Sequence, residues 1–490
     1  MNPVVKSELK YYAVRVGAIG KKIDPYSNQH RFRELFKLLG SSGLKSKKLK
    51  DLSVLIFSGT TPKSGGDAYI CNGNGIPFIR SGEITEDGSI SNEIELYIKP
   101  EIHTKLMARS QLQKNDLLIA IVGATIGKIG IFERDTPANI NQAIAGVRLD
   151  PSRINPRYVL WFLKSALGQA QLDFLKRPVA RANINLDEIG ELLIPYPSSD
   201  TQTSLEIQKN LVDKIENAKL LFSQKMESAN ALIQGLDEYA LKMLNFTFTN
   251  IDQQMIFAIT RSAVIGKRLD PQNFQPFYSQ KNSTEVKTKL LKDIAFINQN
   301  HVERPKNDDD LVPYVGLPQC DINTVRYVTT RPFNEVKGRN TVKNGDILFA
   351  RIEPSVFNKK YVLVEDLGEF SYAYTSTEFY VVRANEQIVN QSYLYSIFFS
   401  SFVFNQIKGK TMGSTGRRRI DLDLFSELKI PYPSRNIQNE IAEEVGKRRR
   451  DYALISKDAL QEWNVAQKNF EDELMRESKE LVNTRVDKNG

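Results

Sequence analysis

Cysteine and histidine are scarce in this 490-residue chain: two of the first, Cys71 and Cys320, and three of the second, His30, His103 and His301. Two cysteines so far apart exclude a disulfide framework and a cysteine-based zinc site. Three histidines leave little room for metal or imidazole chemistry. Long apolar runs are missing as well. The richest stretch, residues 117–132, is broken by Gly123, Gly127 and Lys128, too often for a membrane span. The start, MNPVVKSELKYYAV, has no apolar signal core. These absences lead to the expectation of a cytoplasmic protein that makes no use of a membrane. Against them, 41% hydrophobic and 26% charged residues match a folded globular chain and exclude a disordered or collagenous one. The length predicts two to four domains. Lysine and arginine number 67 against 58 acidic residues, a net charge of +9, which is compatible with nucleic acid but weak on its own.

The chain is written twice. Gly20-Lys-Lys-Ile-Asp24-Pro25 recurs as Gly266-Lys-Arg-Leu-Asp270-Pro271, an offset of 246. Leu49-Lys-Asp-Leu52 recurs from Leu291, Asp116-Leu-Leu-Ile-Ala120 from Asp346, and Glu191-Leu-Leu-Ile-Pro-Tyr-Pro-Ser198 from Glu427, at offsets of 242, 230 and 236. Four matches in order, displaced only by small insertions, indicate a duplication of whole modules rather than a short-period solenoid.

Each module has a β-rich front part and a helical tail. Residues 76–79, 116–122, 346–351, 361–364 and 379–382 are short apolar runs bounded by Gly, Pro, Asn and Asp, and read as strands. One apolar helix follows in each half, at residues 158–167 and 393–404, with Asn155-Pro156 and Asn390 at the starts. The tails carry heptad spacing. In the first, Leu211, Ile215, Ala218, Phe222, Ala229, Ile233, Leu236, Ala240 and Met243 step by four and three, with one member missing at Lys225. In the second, Ile441, Val445, Tyr452, Ile455, Ala459, Ala466 and Phe470 do so, interrupted by Arg448 and Glu462. Pro195-Tyr-Pro197 and Pro431-Tyr-Pro433 stand just outside the two starts.

The expected fold class is α+β: two tandem mixed α/β domains joined by two long helices forming an antiparallel coiled coil. Leu211, Ile215, Phe222, Ile233 and Leu236 would pair there with Ile441, Val445, Tyr452, Ile455 and Phe470. The alternative is that each helix packs on its own module. The expected boundaries are 1–200 for the first module with its leader and 201–245 for its helix. The second module with its leader takes 246–435, its helix 436–480, and a polar tail 481–490.

Catalytic patterns fail when counted. Gly123-Ala-Thr-Ile-Gly127-Lys128-Ile129 has three residues between its glycines and no Ser or Thr after Lys, so it is read as a tight turn and not a phosphate loop. Asn155-Pro156-Arg157-Tyr158 differs from the Asn-Pro-Pro-Tyr of amino-methyltransferases at its third residue. Glu285-Val-Lys287 and Glu335-Val-Lys337 match a nuclease-like Glu-x-Lys, a three-residue pattern common by chance. No Gly-x-Gly-x-x-Gly follows a strand, so no S-adenosylmethionine or dinucleotide site is legible. The chain is therefore expected to be non-catalytic, with no catalytic residue and no metal site of its own.

Its positive charge is clustered. Lys45, Lys47, Lys48 and Lys50 form one group and residues 447–450 another, the latter read as a solvated helix face. Arg177, Arg181 and Asn183 precede the first Pro-Tyr-Pro, and Lys410, Ser414, Thr415, Arg417, Arg418 and Arg419 the second. Short loops mixing Arg, Ser, Thr and Asn suit phosphate oxygens and base edges. Lys63, Ser64, Arg80, Lys128 and Arg351 complete the candidate DNA contacts.

The ordered set of the two-fold repeat, Pro-Tyr-Pro before a long helix, Gly123 to Lys128 and the Thr411 to Thr415 loop resembles the specificity subunit of type I restriction-modification systems. Residues 76–79, 183–186, 207–215, 346–350 and 437–445 take part in the likeness, which covers almost the whole chain. It implies two target-recognition domains, each reading half of a bipartite double-stranded DNA sequence. It also implies an antiparallel helix pair that sets their separation and docks two adenine methyltransferase subunits, with restriction subunits joining that core. S-adenosylmethionine, ATP and magnesium would then belong to the partner subunits. The chain departs from the family in having Tyr196 and Tyr432 for Leu, and Ile207-Gln208 and Ile437-Gln438 for Glu-Gln. Pro197 precedes Gln208 by 11 residues, whereas Pro433 precedes Gln438 by 5, so the first helix start should carry about one and a half extra turns or a loop. A helix of about 38 residues would span roughly 57 Å, on the order of 17 base pairs. Two other readings compete: a self-contained methyltransferase or nuclease with degenerate motifs, and an adaptor whose coiled coil and β modules bind protein.

Overall fold

A computed structural model describes residues 45–63, 67–70, 75–176, 183–198, 200–246, 248–250, 278–280, 287–300, 305–321, 324–408, 410–413 and 418–483. The repeated Gly-Lys-x-x-Asp-Pro segments lie outside them. The chain divides into two compact units, residues 1–223 with 460–490, and residues 224–459.

The same plan is built in each unit. In the first, a four-stranded sheet runs Ser53–Ser58, Ile144–Leu149, Leu117–Ala120, Ile129–Ile131. In the second, the order is Ala295–Ile297, Phe379–Ala384, Ile347–Ala350, Tyr361–Leu363. All these neighbours are antiparallel. Their central strands are the duplicated apolar runs, and Leu117–Ala120 and Ile347–Ala350 are buried at every position, as strands covered on both faces must be. Each unit adds a second four-stranded sheet containing one parallel pair, Phe78 opposite Asn139 in the first and Tyr314 opposite Tyr374 in the second.

A short strand ends on the first proline of each Pro-Tyr-Pro. Leu193–Pro195 pairs with Ser46–Lys48 and Lys429–Pro431 with Thr288–Leu290, which ties the end of each module to its beginning. The tyrosine that replaces leucine has a local reason: Lys47 sits over the Tyr196 ring at 3.5 Å and Lys289 over the Tyr432 ring at 4.3 Å.

One apolar helix per module was expected, and the structure has two. Pro156–Lys164 is followed by Ala166–Leu175, and Gln391–Phe398 by Ser401–Ile407. Ser165 and Ser400 break the runs because each caps the next helix, accepting from the amides of Gly168 and Val403. The first tail also differs from its expected span of 201–245. Thr201–Ile233 is one helix, and Leu236–Met243 is a second. Between them Gly235 has φ 75°, a left-handed conformation natural to glycine that ends a helix. Heptad spacing continues through the break, so counting apolar positions alone misses it. The second tail is continuous over Arg435–Asn483.

The tails belong to the cores. In the first unit Leu211, Ile215, Phe470 and Leu474 are buried with Leu117, Val147, Tyr158, Phe162 and Ile194. In the second, Leu236, Ala240, Ile441 and Val445 are buried with Ile347, Phe349, Tyr380, Tyr393 and Ile430. At roughly 1.5–3 kcal/mol for each fully buried aliphatic side chain, these helices hold up the modules as much as they extend from them.

Candidate nucleic-acid interface

In each unit the segment after the central buried strand meets the loop that precedes Pro-Tyr-Pro. Val122 bridges Asn183 in the first unit, and Ile352 bridges Arg419 in the second. The adjoining backbone bond is also duplicated: Ile184 N–H donates to Ile121 O, and Ile420 N–H to Arg351 O, at 3.0 and 2.9 Å. Two equivalent turn-and-loop clusters result, carrying different side chains.

In the first cluster the strand Leu117–Ala120 runs into a short helical turn, Gly123–Thr125, the tight turn that the glycine spacing suggests. Gly123 and Gly127 have φ of 74° and 97°, which side-chain-bearing residues avoid. A Cβ on Gly127 would also meet Gln169 Oε1 at 2.9 Å. Thr125 Oγ1 donates to Ser81 Oγ at 3.0 Å. Lys128 pairs with Glu86 at 3.1 Å. Arg80 pairs with Glu83 and Glu95 at 3.0 and 2.5 Å. Burial works against its charge, but the hydrogen bonds it donates to Glu95 and Glu83 outweigh that and raise its pKa. Asn183 and Lys63 are exposed.

The second cluster is denser in charge. Arg419 grips Glu378 with two bonds, Nε to Oε2 at 3.0 Å and Nη2 to Oε1 at 2.5 Å, and this fork raises its pKa. Arg418 donates to Thr411 O at 2.8 Å and stands 3.9 Å from Glu353, which also takes the Thr411 hydroxyl. The Lys410 backbone amide donates to Ile407 O at the foot of the same loop. Arg351 differs from these arginines. Its guanidinium lies over the Tyr380 ring at 4.7 Å, and its Nε is buried without a hydrogen-bond partner. Burial pushes the Tyr380 hydroxyl up to about 12, against the opposing Arg351 charge. The equivalent residue of the first cluster is Ile121, 5% exposed.

The structure therefore brings Arg351, Lys410, Arg418 and Arg419 into one cluster, and Arg80, Lys128 and Asn183 into the neighbourhood of another. Ser64, Arg177, Arg181, Ser414, Thr415 and Arg417 lie outside the described residues. Sequence reasoning missed Glu353, Glu378, Tyr380 and Ser81. Each acts through a contact more than 25 residues away in sequence, and no local pattern marks it. Chemically, the clusters present N–H and O–H donors on a scaffold fixed by ion pairs, which suits polyanion backbones and base edges. Among the described residues no group of three or more His, Cys, Asp or Glu could hold a metal ion. No described helix is long and apolar enough to cross a membrane.

Of the expected helix-pairing residues, Leu211, Ile215 and Phe470 are buried in the first unit, and the Phe222 ring meets that of Trp463 at 5.8 Å, tilted by 30°. In the second unit Ile441, Val445 and Leu236 are buried, Ile233 packs against them, and Tyr452 and Ile455 are half-buried. Gln208 and Gln438 are buried equivalents: their Oε1 atoms accept the amides of Asn155 and Asn390, each at 2.9 Å. The unequal spacing before them comes to one added turn, since Gln208 is the eighth residue of its helix and Gln438 the fourth, plus two residues of loop.

A family model for the type I restriction modification DNA specificity domain matches residues 41–221 and 283–447. Over 143 residues the chain is 34% identical to the type I restriction enzyme EcoBI specificity subunit of Escherichia coli, covering 29% of this chain and 28% of that protein. Over 105 residues it is 30% identical to the EcoAI specificity subunit of Escherichia coli, covering 21% of this chain and 18% of that one. The matched stretches thus span under a third of these curated relatives. A solved structure, the S subunit of a type I restriction-modification system from M. genitalium, superimposes with a TM-score of 0.44 at 15% identity, over 89% of this chain and 95% of that one.

Proposed function

The chain belongs to the type I restriction-modification DNA specificity family, whose model matches well over half of its length, and on that premise we propose that it is a non-catalytic sequence-reading subunit. Each unit reads one half of a bipartite double-stranded DNA target. Adenine methyltransferase subunits dock on the same chain, two of them, with restriction subunits able to join. S-adenosylmethionine, ATP and magnesium are held by those partners, and the complex works in the cytoplasm. One observation carries this reading: two scaffolds with the same strand order and the same loop bridge, Val122 to Asn183 and Ile352 to Arg419, present different side chains. Equal supports with unequal loops are what reading two different half-sites requires.

The two long helices form an antiparallel coiled coil in this proposal. Lys214 bonds Glu473 at 2.8 Å, and eight residues later Phe222 meets Trp463. In the second unit Arg448 lies over the Tyr239 ring. Ascending numbers on one tail face descending numbers on the other, as antiparallel pairing demands.

The test is a methylation-sensitive sequence map of DNA from cells expressing this chain with a cognate adenine methyltransferase, against cells lacking the chain. A split motif methylated only in its presence is expected. No difference, with both proteins expressed and associated, would overturn the proposal. Duplex affinity should also fall steeply with salt, by about 0.9 in log–log slope for each phosphate neutralised. A flat salt response would favour a protein-binding adaptor.

A further inference from the structure

Both turn-and-loop clusters set carboxylates among their cations. In the second unit Arg418 and Arg419 face Glu353 and Glu378, and in the first Arg80 and Lys128 face Glu83, Glu86 and Glu95. The whole chain has a net charge of +9, yet acidic groups oppose its cations where a polyanion has to dock. Stability does not account for this, because ion pairs open to solvent contribute little to it.

Glu378 is fixed through its backbone. Its amide donates to Ser376 Oγ at 3.2 Å, and its carbonyl accepts the Arg351 amide at 2.9 Å, just before the strand Phe379–Ala384. Its carboxylate takes Nε and Nη2 of Arg419 at 3.0 and 2.5 Å. That two-pronged geometry is the one a phosphate, or the O6/N7 edge of guanine, would receive from a released arginine. The Glu378 side chain is 20% exposed and that of Arg419 37%, so a phosphate approaching the fork meets a negative charge beside it.

We infer that Glu378 is a specificity-determining residue that acts by withholding a cation. It occupies the Arg419 fork and repels phosphates whatever the sequence, so that non-target DNA is held weakly and a duplex is retained only where base contacts supply the affinity. Glu95 acts in the same way on Arg80 in the first unit. This rests on the DNA-reading proposal and adds to it how non-target DNA is rejected.

The test uses the full-length chain assembled with its methyltransferase and two duplexes, one carrying the methylated motif and one lacking both half-sites, titrated over a range of salt. Glu378→Gln keeps the shape of the side chain and removes its charge. It should tighten binding to the non-target duplex by about three- to tenfold and steepen its log–log salt slope by about 0.9, one more phosphate neutralised. The target duplex should gain less, so the affinity ratio between the two falls. Adding Arg419→Met should cancel both the gain and the extra slope, which separates a released fork from a general change of charge. Glu95→Gln, at a surface position 75% exposed, should shift the ratio in the same direction through Arg80, and it decides the matter should Glu378→Gln not fold. An unchanged ratio in both variants would overturn the inference. So would a gain that survives Arg419→Met, or a loss confined to the target duplex, which would make Glu378 a direct base contact. A wild-type complex that binds both duplexes alike would sink the DNA-reading proposal and this inference with it.

Discussion

Asp116 and Asp346 immediately precede the duplicated strands, and their burial to 1% and 0% exposure is possible because each is gripped by an arginine from the neighbouring strand. Arg148 bonds both oxygens of Asp116 at 2.9 and 2.7 Å, and Arg383 both oxygens of Asp346 at 2.6 and 2.7 Å. Backbone amides of Gln113 and Lys343 complete the two sites. Removing one partner of a buried pair leaves an uncompensated charge, at a cost of roughly 3–5 kcal/mol. Arg383→Met should therefore lower the urea midpoint markedly, and Asp346→Asn on top of it should recover part of the loss. Arg351 carries the prediction for specificity. With Arg419 committed to Glu378, Arg351 is the residue of its cluster whose guanidinium rests on a ring rather than on a carboxylate. Arg351→Met should relax one position of one half-site, at about 1–3 kcal/mol, and leave the other half-site intact. A methylation map reads this directly, and an unchanged motif would remove Arg351 from the reading set.

Among the elements, the helix starts show best how the duplication works. Asn155 and Asn390 cap the helices Pro156–Lys164 and Gln391–Phe398, while Gln208 and Gln438 from the long helices accept the amides of those same asparagines. A cap and a tail are thereby fastened together twice. Gln208→Leu should destabilise the first unit by about 1–3 kcal/mol, the usual cost of a buried donor left unmet, as chemical unfolding would record. Lys219, on the first long helix, ties it to a loop of its module through Asp87 at 3.4 Å. Burial works to raise the Asp87 pKa, but the Thr85 and Ser89 hydroxyls and the Lys219 charge outweigh it and hold it far below the usual carboxylate range. A carboxyl depressed on folding stabilises above its unfolded pKa of about 3.9, and that contribution fades as pH falls toward the folded value. Asp87 is half exposed, so the effect is expected to stay under about 1 kcal/mol. The stability gap between wild type and Asp87→Asn should be widest near neutral pH and narrow below about pH 4, measured by urea unfolding across pH.

For the molecule as a whole, the proposal makes the long helices set the spacer and the loops set the half-sites. Inserting one heptad in both helices adds about 10.5 Å, or roughly three base pairs. The expected methylation motif keeps both half-sites and lengthens its spacer by about that amount. A changed half-site would count against the division of labour. A heptad in one tail alone should instead destabilise the fold, because Phe470 and Leu474 of the second tail are buried with Leu211 and Ile215 of the first and would lose that register.

Much of this architecture is legible in the order of residues. Duplication shows because Asp116 to Ala120 and Asp346 to Ala350 must both be buried strands, and burial on both faces restricts them to the same residue types. Asn155-Pro156 and Asn390 mark helix starts because capping is a local interaction, and heptad spacing shows which face of each tail is buried. Other features were settled by contacts between distant segments. Nothing near Arg419 or Arg351 in sequence indicates that one is held by Glu378 and the other by the Tyr380 ring, although the two arginines look alike as charges in a loop. The break at Gly235 is local, yet the heptad spacing that continues from Ala229 to Met243 conceals it. Short-range steric and hydrogen-bonding preferences can be read along the chain. Which cation is spent on a carboxylate and which keeps its donors depends on segments that meet only when the sheets close, and there tertiary packing decides.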